Sequence, residues 1–134
     1  MTTLDIAEVI RRFNRAFVDH NPTLLNDLVG DTCLMEAIQP APEGARYQGR
    51  KACLEFWQLL AQDQTSQFEP EEVIMAGDRA TIRWRYRYGA GPLDYIRGVT
   101  LMRVQDGVIT EALGYSKTAN SSQQLKELLH RDAT

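Results

Sequence analysis

The chain has 134 residues, a formal net charge of −3 and a sequence pI near 5.4. It therefore lacks the overall positive charge of a nucleic-acid-binding protein, and we expect no nucleic-acid partner. No apolar run approaches the roughly 20 residues that span a bilayer, so we expect no membrane partner. Hydrophobic residues make up 43% and charged residues 25%, and this ordinary balance, with this length, predicts a single domain over residues 1–134.

The N-terminus and the cysteines predict the compartment. Residues 1–5 lack the basic start and the apolar stretch of a signal peptide, which predicts a cytoplasmic protein. Cys33 and Cys53 do not form a Cys-x-x-Cys pair and lie inside apolar runs. Buried free thiols are therefore expected instead of a disulfide or a metal site.

Two helices are predicted before the first strand. Thr3 can cap a helix over Leu4–Asp19, whose apolar residues repeat at the three- and four-residue spacing of one buried stripe. The Asn21-Pro22 pair predicts the start of a second, short helix, which Gly30 would end by adopting a left-handed backbone. The stripe of the first helix consists of Ile6, Val9, Ile10, Phe13 and Phe17.

A strand, a loop and a third helix follow. The predicted strand Cys33–Ile38 places Glu36 among apolar residues, where an ionised carboxylate is unfavourable unless it has a partner. Gln39–Gly44 contains prolines and a glycine and is predicted to be a loop that borders a cavity. Residues 47–48 predict a short strand. Arg50–Gln62 predicts a helix whose wide apolar coverage implies burial on more than one side.

The second half of the chain is predicted to consist of strands separated by turns. The Asp-Gly pair between the last two strands is a strong hairpin signal. A last helix is expected to begin at Ser121 or Ser122. This order predicts an α+β fold, a cone-shaped curved antiparallel sheet with three helices over its concave face, plus a short C-terminal helix. The four predicted strands are Phe68–Met75, Ala80–Tyr88, Asp94–Val104 and Val108–Lys117.

The strand Ala80–Tyr88 has two chemically different faces, because side chains alternate along a strand. One face carries Ile82, Trp84, Tyr86 and Tyr88, which are either plain core or the polar-dotted wall of a ligand pocket. The other face carries three arginines. Such a cationic row pairs with acids on neighbouring strands or with a partner subunit. These arginines are Arg83, Arg85 and Arg87.

Four stretches of the sequence, together with the element order, carry a resemblance to a known family: Phe13–Phe17, Gly49–Trp57, Ile82–Trp84 and Arg103–Glu111. With them the chain resembles the nuclear transport factor 2-like superfamily and, within it, the SnoaL-like polyketide cyclase and ketosteroid isomerase group. The resemblance implies a cystatin-like cone that holds a small apolar, steroid- or polyketide-like compound. It also implies a homodimer through the outer sheet face, which carries Arg83, Arg85 and Arg87.

On this resemblance, the proton-shuttling aspartate of the isomerases falls on or beside Glu36. A carboxylate in an apolar cavity is suited to take a proton from carbon and return it at another position. The alternative is that Lys117 or an arginine holds Glu36 in a structural ion pair. Other family positions differ: Phe13 and Thr100 stand where the isomerases have hydrogen-bond donors, and Lys117 stands where the cyclases have an acid/base aspartate.

Strand alternation supplies the remaining candidates for the cavity, although a one-residue bulge would reverse the assignment for any strand. His20 and His130 are expected to be surface residues without a catalytic role. Glu36 is the candidate catalytic residue. The candidate substrate-binding residues are Phe13, Phe17, Trp57, Trp84, Tyr86, Tyr88, Asp94, Thr100, Tyr115 and Lys117.

Three functions remain open, because fold alone does not decide among them. The first is an isomerase, cyclase or lyase that transfers a proton next to a carbonyl, with Glu36 as general base, a tyrosine as donor and no metal or other cofactor. The second is a non-catalytic binding protein for a small apolar ligand. The third is a dimeric interaction module whose cavity is filled by core side chains.

Overall fold

The computed structural model describes residues 4–40 and 42–117. This part of the chain forms two α-helices, a short 3₁₀ helix at Pro22–Leu25 and six strands. The helices are α1 (Ile6–Val18) and α2 (Arg50–Gln62). The strands are β1 (Val29–Glu36), β2 (Arg46–Gln48), β3 (Gln67–Ala76), β4 (Arg79–Arg87), β5 (Tyr95–Gln105) and β6 (Val108–Ser116).

The six strands form one curved, unclosed sheet in the order β2-β1-β6-β5-β4-β3. Neighbouring strands run antiparallel except β1 and β6, which run parallel. Helices α1 and α2 pack on the concave face, where their apolar stripes and the inward side chains of the sheet form one core. The predicted α+β class and the curved sheet are confirmed, but the prediction of a purely antiparallel sheet is wrong, because β1 joins β6 in parallel.

The helix content differs from the prediction. Helix α1 begins at Ile6, because the carboxylate of Asp5 accepts a hydrogen bond from the backbone N–H of Glu8 at 2.8 Å and caps the helix. The cap predicted at Thr3 is thus wrong. The second predicted helix is only the 3₁₀ turn Pro22–Leu25. The predicted C-terminal helix, from Ser121 or Ser122, lies outside the described residues.

Gly30 does not end a helix, because it lies inside β1, which begins four residues earlier than predicted. A Cβ atom at Gly30 would lie 3.0 Å from Val108 and 3.1 Å from the carbonyl oxygen of Ile109. The glycine therefore allows β1 to approach β6 closely. Both cysteines are buried free thiols, as predicted.

A β-bulge at Thr110 determines which side chains of β6 face the helices. Arg103 pairs with Glu111, but Val104 pairs with Ile109, so one residue of β6 is left over. Ile109 is buried before the bulge and Ala112 after it. The face that carries Tyr115 and Lys117, predicted to line the cavity, is therefore the outer face.

His20 connects three elements of the fold instead of lying free on the surface. It has a left-handed backbone, with φ of 52°, just after α1. Its Nδ1 lies 3.0 Å from the carbonyl oxygen of Ala61 in α2, and its Nε2 lies 3.0 Å from the side-chain oxygen of Gln67 in β3. His20 is half-buried, because the turn after α1 directs the ring between α2 and β3.

Candidate functional site

A cavity of about 320 Å³ lies between the two α-helices and the concave face of the sheet. Its lining is almost wholly apolar and includes seven aromatic rings, from α1, α2, β3 and β4. The lining residues are Phe13, Phe17, Met35, Glu36, Ala37, Ile38, Gln39, Phe56, Trp57, Leu60, Phe68, Ile82, Trp84, Tyr86, Ile96, Thr100, Ala112 and Gly114.

The aromatic side chains of the lining pack against one another across the elements. Phe13 lies between Phe17 and Trp57, with ring centroids 4.8 and 5.1 Å away. Phe68 joins the helices to the sheet, because its centroid lies 5.7 Å from that of Phe17 and 6.4 Å from that of Trp84. These separations are those of stabilising aromatic pairs, so the rings of the lining stabilise one another.

Trp84 and Thr100 form a hydrogen-bonded pair in this lining. The indole Nε1 of Trp84 donates to Oγ1 of Thr100 over 2.9 Å. Gly98 lies opposite Trp84 on β5 and leaves room for the indole ring. A Cβ atom at Gly98 would lie 2.5 Å from Cη2 of Trp84 and 2.4 Å from the carbonyl oxygen of Tyr115. The pair therefore depends on the missing side chain at Gly98.

The hydroxyl group of Tyr86 is engaged by a second polar cluster at one end of the lining. Ser66 Oγ lies 3.0 Å from the Tyr86 hydroxyl oxygen and 3.2 Å from Oδ2 of Asp63. Hydrogen bonds from Thr65 and Ser66 hold the pKa of the Asp63 carboxyl below its ordinary value, whereas burial raises the pKa of the Tyr86 phenol. Since Ser66 has one hydroxyl proton and an ionised carboxylate only accepts, Ser66 donates to Asp63 and Tyr86 donates to Ser66.

Glu36 borders the cavity at the end of β1 and is half-buried. In register it pairs with Leu113, whose strand neighbours Ala112 and Gly114 face the cavity. Strand alternation therefore directs the Glu36 side chain to the outer face, while Met35 shares the inner face with Ala112. Glu36 forms no ion pair or side-chain hydrogen bond with another described residue. Its role as a general base stays a prediction.

The structure brings together seven of the predicted site residues and leaves four away from the cavity. Tyr88 and Tyr115 are 52% and 55% exposed, so they do not line it. Asp94 precedes β5, and its Oδ2 accepts a hydrogen bond from the backbone N–H of Gly91 at 3.0 Å, within the turn. The side chain of Lys117 is exposed beyond the end of β6. The seven that line the cavity are Phe13, Phe17, Glu36, Trp57, Trp84, Tyr86 and Thr100.

Several lining residues were not among the predicted site residues. Ile82 was predicted to share a strand face with Trp84, Phe68 was predicted only as part of a strand, and Phe56 and Leu60 as part of the wide apolar coverage of a helix. The helical spacing in α2 could have placed Leu60 with Trp57. The position of Phe68 follows only from the pairing of β3 with β4, which sets it opposite Tyr86. Gly114 has no side chain and so adds nothing to an apolar pattern in the sequence. Only the pairing of β6 with β5 places it opposite Thr100.

The arginines of β4 lie on the outer face, as their alternation predicts. Arg83 contacts Glu72 of β3 at 3.1 Å, and Arg87 contacts Glu69 at 3.8 Å. The guanidinium carbon of Arg85 lies 4.2 Å from the ring centroid of Tyr95 on β5. Two of the three arginines are thus paired across strands, and Arg85 makes a cation–π contact.

Within the described ranges, no group of three or more His, Cys, Asp and Glu side chains is arranged to hold a metal ion. Among the same residues, no helix has both the length and the apolar character needed to cross a membrane.

Two helices on the concave face of a curved, unclosed sheet, with an apolar cavity between the two layers, define an α+β fold that is similar to the cystatin-like fold. The model of the SnoaL-like domain family matches residues 10–112, so the chain belongs to this family, within the nuclear transport factor 2-like superfamily. None of the curated proteins compared with the chain matches it.

Three solved structures are similar to this chain at different levels of sequence identity. A nuclear transport factor 2-like protein of unknown function from Mesorhizobium loti is 50% identical, with 84% of this chain and 90% of that chain covered and a TM-score of 0.79. A candidate polyketide cyclase from Sinorhizobium meliloti is 22% identical, with 85% and 99% covered and a TM-score of 0.65. A candidate ketosteroid isomerase from Kribbella flavida is 18% identical, with 84% and 77% covered and a TM-score of 0.68. The last two likenesses show the fold alone.

The substitution Gly98→Ala should displace the Trp84 ring and lower the free energy of unfolding by about 1 to 3 kcal/mol, the usual cost of overpacking. Urea unfolding followed by circular dichroism measures the loss. In Gly98→Ala/Trp84→Phe, the shorter ring should relieve part of the cost, so the double variant should lose less stability than the sum of the single variants. Additive losses would contradict a steric link between the two residues.

Proposed function

We propose that the chain binds a small, largely apolar molecule in the cavity. The observation that carries this proposal is an aromatic-lined cavity of about 320 Å³ beside the hydrophobic core. Protein interiors contain few voids larger than a water molecule, so a cavity of this size argues against the function of a module with a filled core. It falls at the lower end of the range for pockets that hold drug-sized ligands.

The volume limits the size of the ligand. A dry cavity of about 150 Å³ holds one benzene molecule, and this cavity is about twice as large. A compound of one or two rings therefore fits inside it, whereas a longer ring system would have to extend through the opening of the cavity. For a ligand of this size, burial against aromatic side chains supports a Kd in about the micromolar to millimolar range.

Binding can be measured by tryptophan fluorescence, because both tryptophans of the chain, Trp57 and Trp84, line the cavity. Titration with a two-ring hydrocarbon such as tetralin should change the emission in a saturable way. Ala112→Phe should abolish this change, because Ala112 is buried at the cavity wall. The matched control is Leu113→Phe, on the outer face of the same strand. Equal affinity in wild type and Ala112→Phe would contradict the proposed site.

A second candidate function is proton transfer next to a carbonyl, with Glu36 as the base. The observation that favours it is that Glu36 borders the cavity without an ion pair or hydrogen bond to another described residue. Two strand spacings, roughly 10 Å, separate the backbone of Glu36 from that of Thr100, a gap that a two-ring substrate can span. The register of β1 directs the Glu36 side chain to the outer face. Binding without catalysis is therefore the first proposal, and catalysis is the second.

Exchange of the protons next to the carbonyl of 1-tetralone in D₂O, followed by NMR, tests the catalytic candidate. A general base contributes about 10² to 10⁴ in rate, so Glu36→Gln should remove the acceleration and change the Kd only a few-fold. Glu55→Gln, at an exposed position of α2, is the control. Equal exchange rates in wild type and Glu36→Gln would leave binding as the function.

We further propose that the outer sheet face forms a homodimer interface. This face carries Arg85 and the exposed side chains of Leu101 and Tyr115. Arg85→Glu should convert a dimer to a monomer, because it places a negative charge where the proposed interface has a positive one. Analytical ultracentrifugation measures the change, with Lys51→Glu on α2 as the matched reversal away from this face. A dimer in Arg85→Glu as stable as in wild type would exclude the face.

A further inference from the structure

The imidazole ring of His20 lies between two oxygen atoms that can only accept hydrogen bonds. Its Nδ1 lies 3.0 Å from the carbonyl oxygen of Ala61, and its Nε2 lies 3.0 Å from the side-chain oxygen of Gln67. A neutral imidazole has one N–H and one bare nitrogen, so either tautomer would point a lone pair at one of these oxygens. Only the imidazolium ion, which has an N–H on both nitrogens, can donate to both.

The surroundings fix the identity of both acceptors. The amide nitrogen of Gln67 donates to the carbonyl oxygens of Val18 and Phe68, at 3.2 and 3.1 Å. A flipped amide would set the Gln67 oxygen against these two carbonyl oxygens, so the oxygen is the atom that faces the ring. Ala61 lies in the last turn of α2, where the carbonyl groups have no partner within the helix. Neither acceptor can therefore be exchanged for a donor.

The negative charge around His20 also favours a positive ring. His20 follows the C-terminal end of α1 and contacts that of α2, and the partial negative charge of a helix C-terminus stabilises a nearby cation. Asp63 follows α2. Hydrogen bonds from Thr65 and Ser66, together with the charge of His20, hold the pKa of the Asp63 carboxyl below its ordinary value, so this group is a carboxylate.

The other ionisable groups on the elements around His20 are paired or neutral. Asp19, the preceding residue, contacts Arg15 of α1 at 3.1 Å, and Glu69 of β3 contacts Arg87 of β4 at 3.8 Å. Burial raises the pKa of the Tyr86 phenol on β4, so this group stays uncharged. Each ion pair is neutral as a whole, which leaves the negative charge of Asp63 and of the helix ends to act on the ring.

The same hydrogen bonds hold two residues of the cavity lining. The backbone N–H of His20 donates to the carbonyl oxygen of Phe17 at 3.4 Å, and Gln67 donates to that of Phe68. The rings of Phe17 and Phe68 line the cavity, with their centroids 5.7 Å apart. Loss of a proton from the ring of His20 would replace one of its two hydrogen bonds by repulsion between a lone pair and an oxygen. The junction that positions these two rings would then loosen.

We infer that His20 is an imidazolium ion in the folded protein and that its proton regulates the cavity. The protonated ring joins α1, α2 and β3 and holds Phe17 and Phe68 in the arrangement that binds the ligand. Its contribution to stability is complete below about pH 6.5, where the histidine of an unfolded chain is also protonated. The contribution is lost when the pH rises far enough to remove the proton from the folded chain, because the unfolded chain then binds no fewer protons. This inference rests on the proposed binding function and adds its regulation by pH.

Long-range ¹H–¹⁵N NMR reads the protonation of the ring directly. In His130→Asn, His20 is the single histidine of the tag-free chain, so its ring signals need no further assignment. At about pH 7.5, one unit above the ordinary value for histidine, both ring nitrogens should resonate at the frequency of a protonated nitrogen. One nitrogen at the frequency of a bare nitrogen would overturn the inference.

Isothermal titration calorimetry with tetralin, at about pH 6 and about pH 8.5, tests the regulation of the cavity. The Kd of the wild-type protein should rise about threefold to tenfold between these values, the usual effect of one hydrogen bond. His20→Asn, which tolerates the left-handed backbone at this position, should bind more weakly at the lower pH and with a Kd that no longer depends on pH. His130→Asn is the matched control and should keep the pH dependence of the wild type.

The outcomes separate the regulation from the binding function. A wild-type Kd that does not change with pH, or a pH dependence that persists in His20→Asn, would overturn this inference and leave the binding function in place. Failure of tetralin to bind the wild-type protein at either pH would overturn the binding function as well.

Discussion

The packing of Trp84 on the concave face is the constraint on which the site depends. Its ring lies in the aromatic lining beside Phe68, and its N–H holds Thr100 Oγ1, so one side chain supplies apolar surface and orients a polar group. This arrangement requires a glycine at position 98, where any side chain would meet the ring and the neighbouring strand. Because buried indole N–H groups need a partner, the Trp84–Thr100 bond also offsets the cost of burying the tryptophan.

The sheet separates two kinds of chemistry on its two faces. Alternation along β4 places Trp84 and Tyr86 toward the helices and the arginines toward the outer face, where the acids of β3 pair with two of them. Exposed ion pairs of this kind contribute little to stability, about 0 to 1 kcal/mol each. Most of the stability of the cone therefore comes from the apolar packing on the inner face, and the outer face can vary in charge with little effect on the fold.

The sequence predicted the fold correctly where a single hydrophobic periodicity, helical or alternating, runs through a whole segment. The helical spacing in Arg50–Gln62 gave both ends of α2, and the alternation in β4 gave the inward side chains that line the cavity. Local patterns failed where pairing decides the direction of a side chain. The bulge at Thr110 reverses the faces of β6, and the pairing of Glu36 with Leu113 directs a residue with apolar sequence neighbours outward. Neither fact is visible in the sequence of one strand.

Tyr86 and Thr100 carry the two hydroxyl groups of the cavity lining. They differ in whether the hydroxyl proton is already used in a hydrogen bond. Tyr86 was a natural candidate for the donor, but its proton is used by Ser66, which itself donates to Asp63. A ligand could recruit Tyr86 only by breaking that chain, which would leave Ser66 without its donor. Thr100 accepts from Trp84 and keeps its proton, so a ligand gains a hydrogen bond there without breaking one. Of the two hydroxyl groups, only that of the threonine therefore keeps a proton without an acceptor among the described residues.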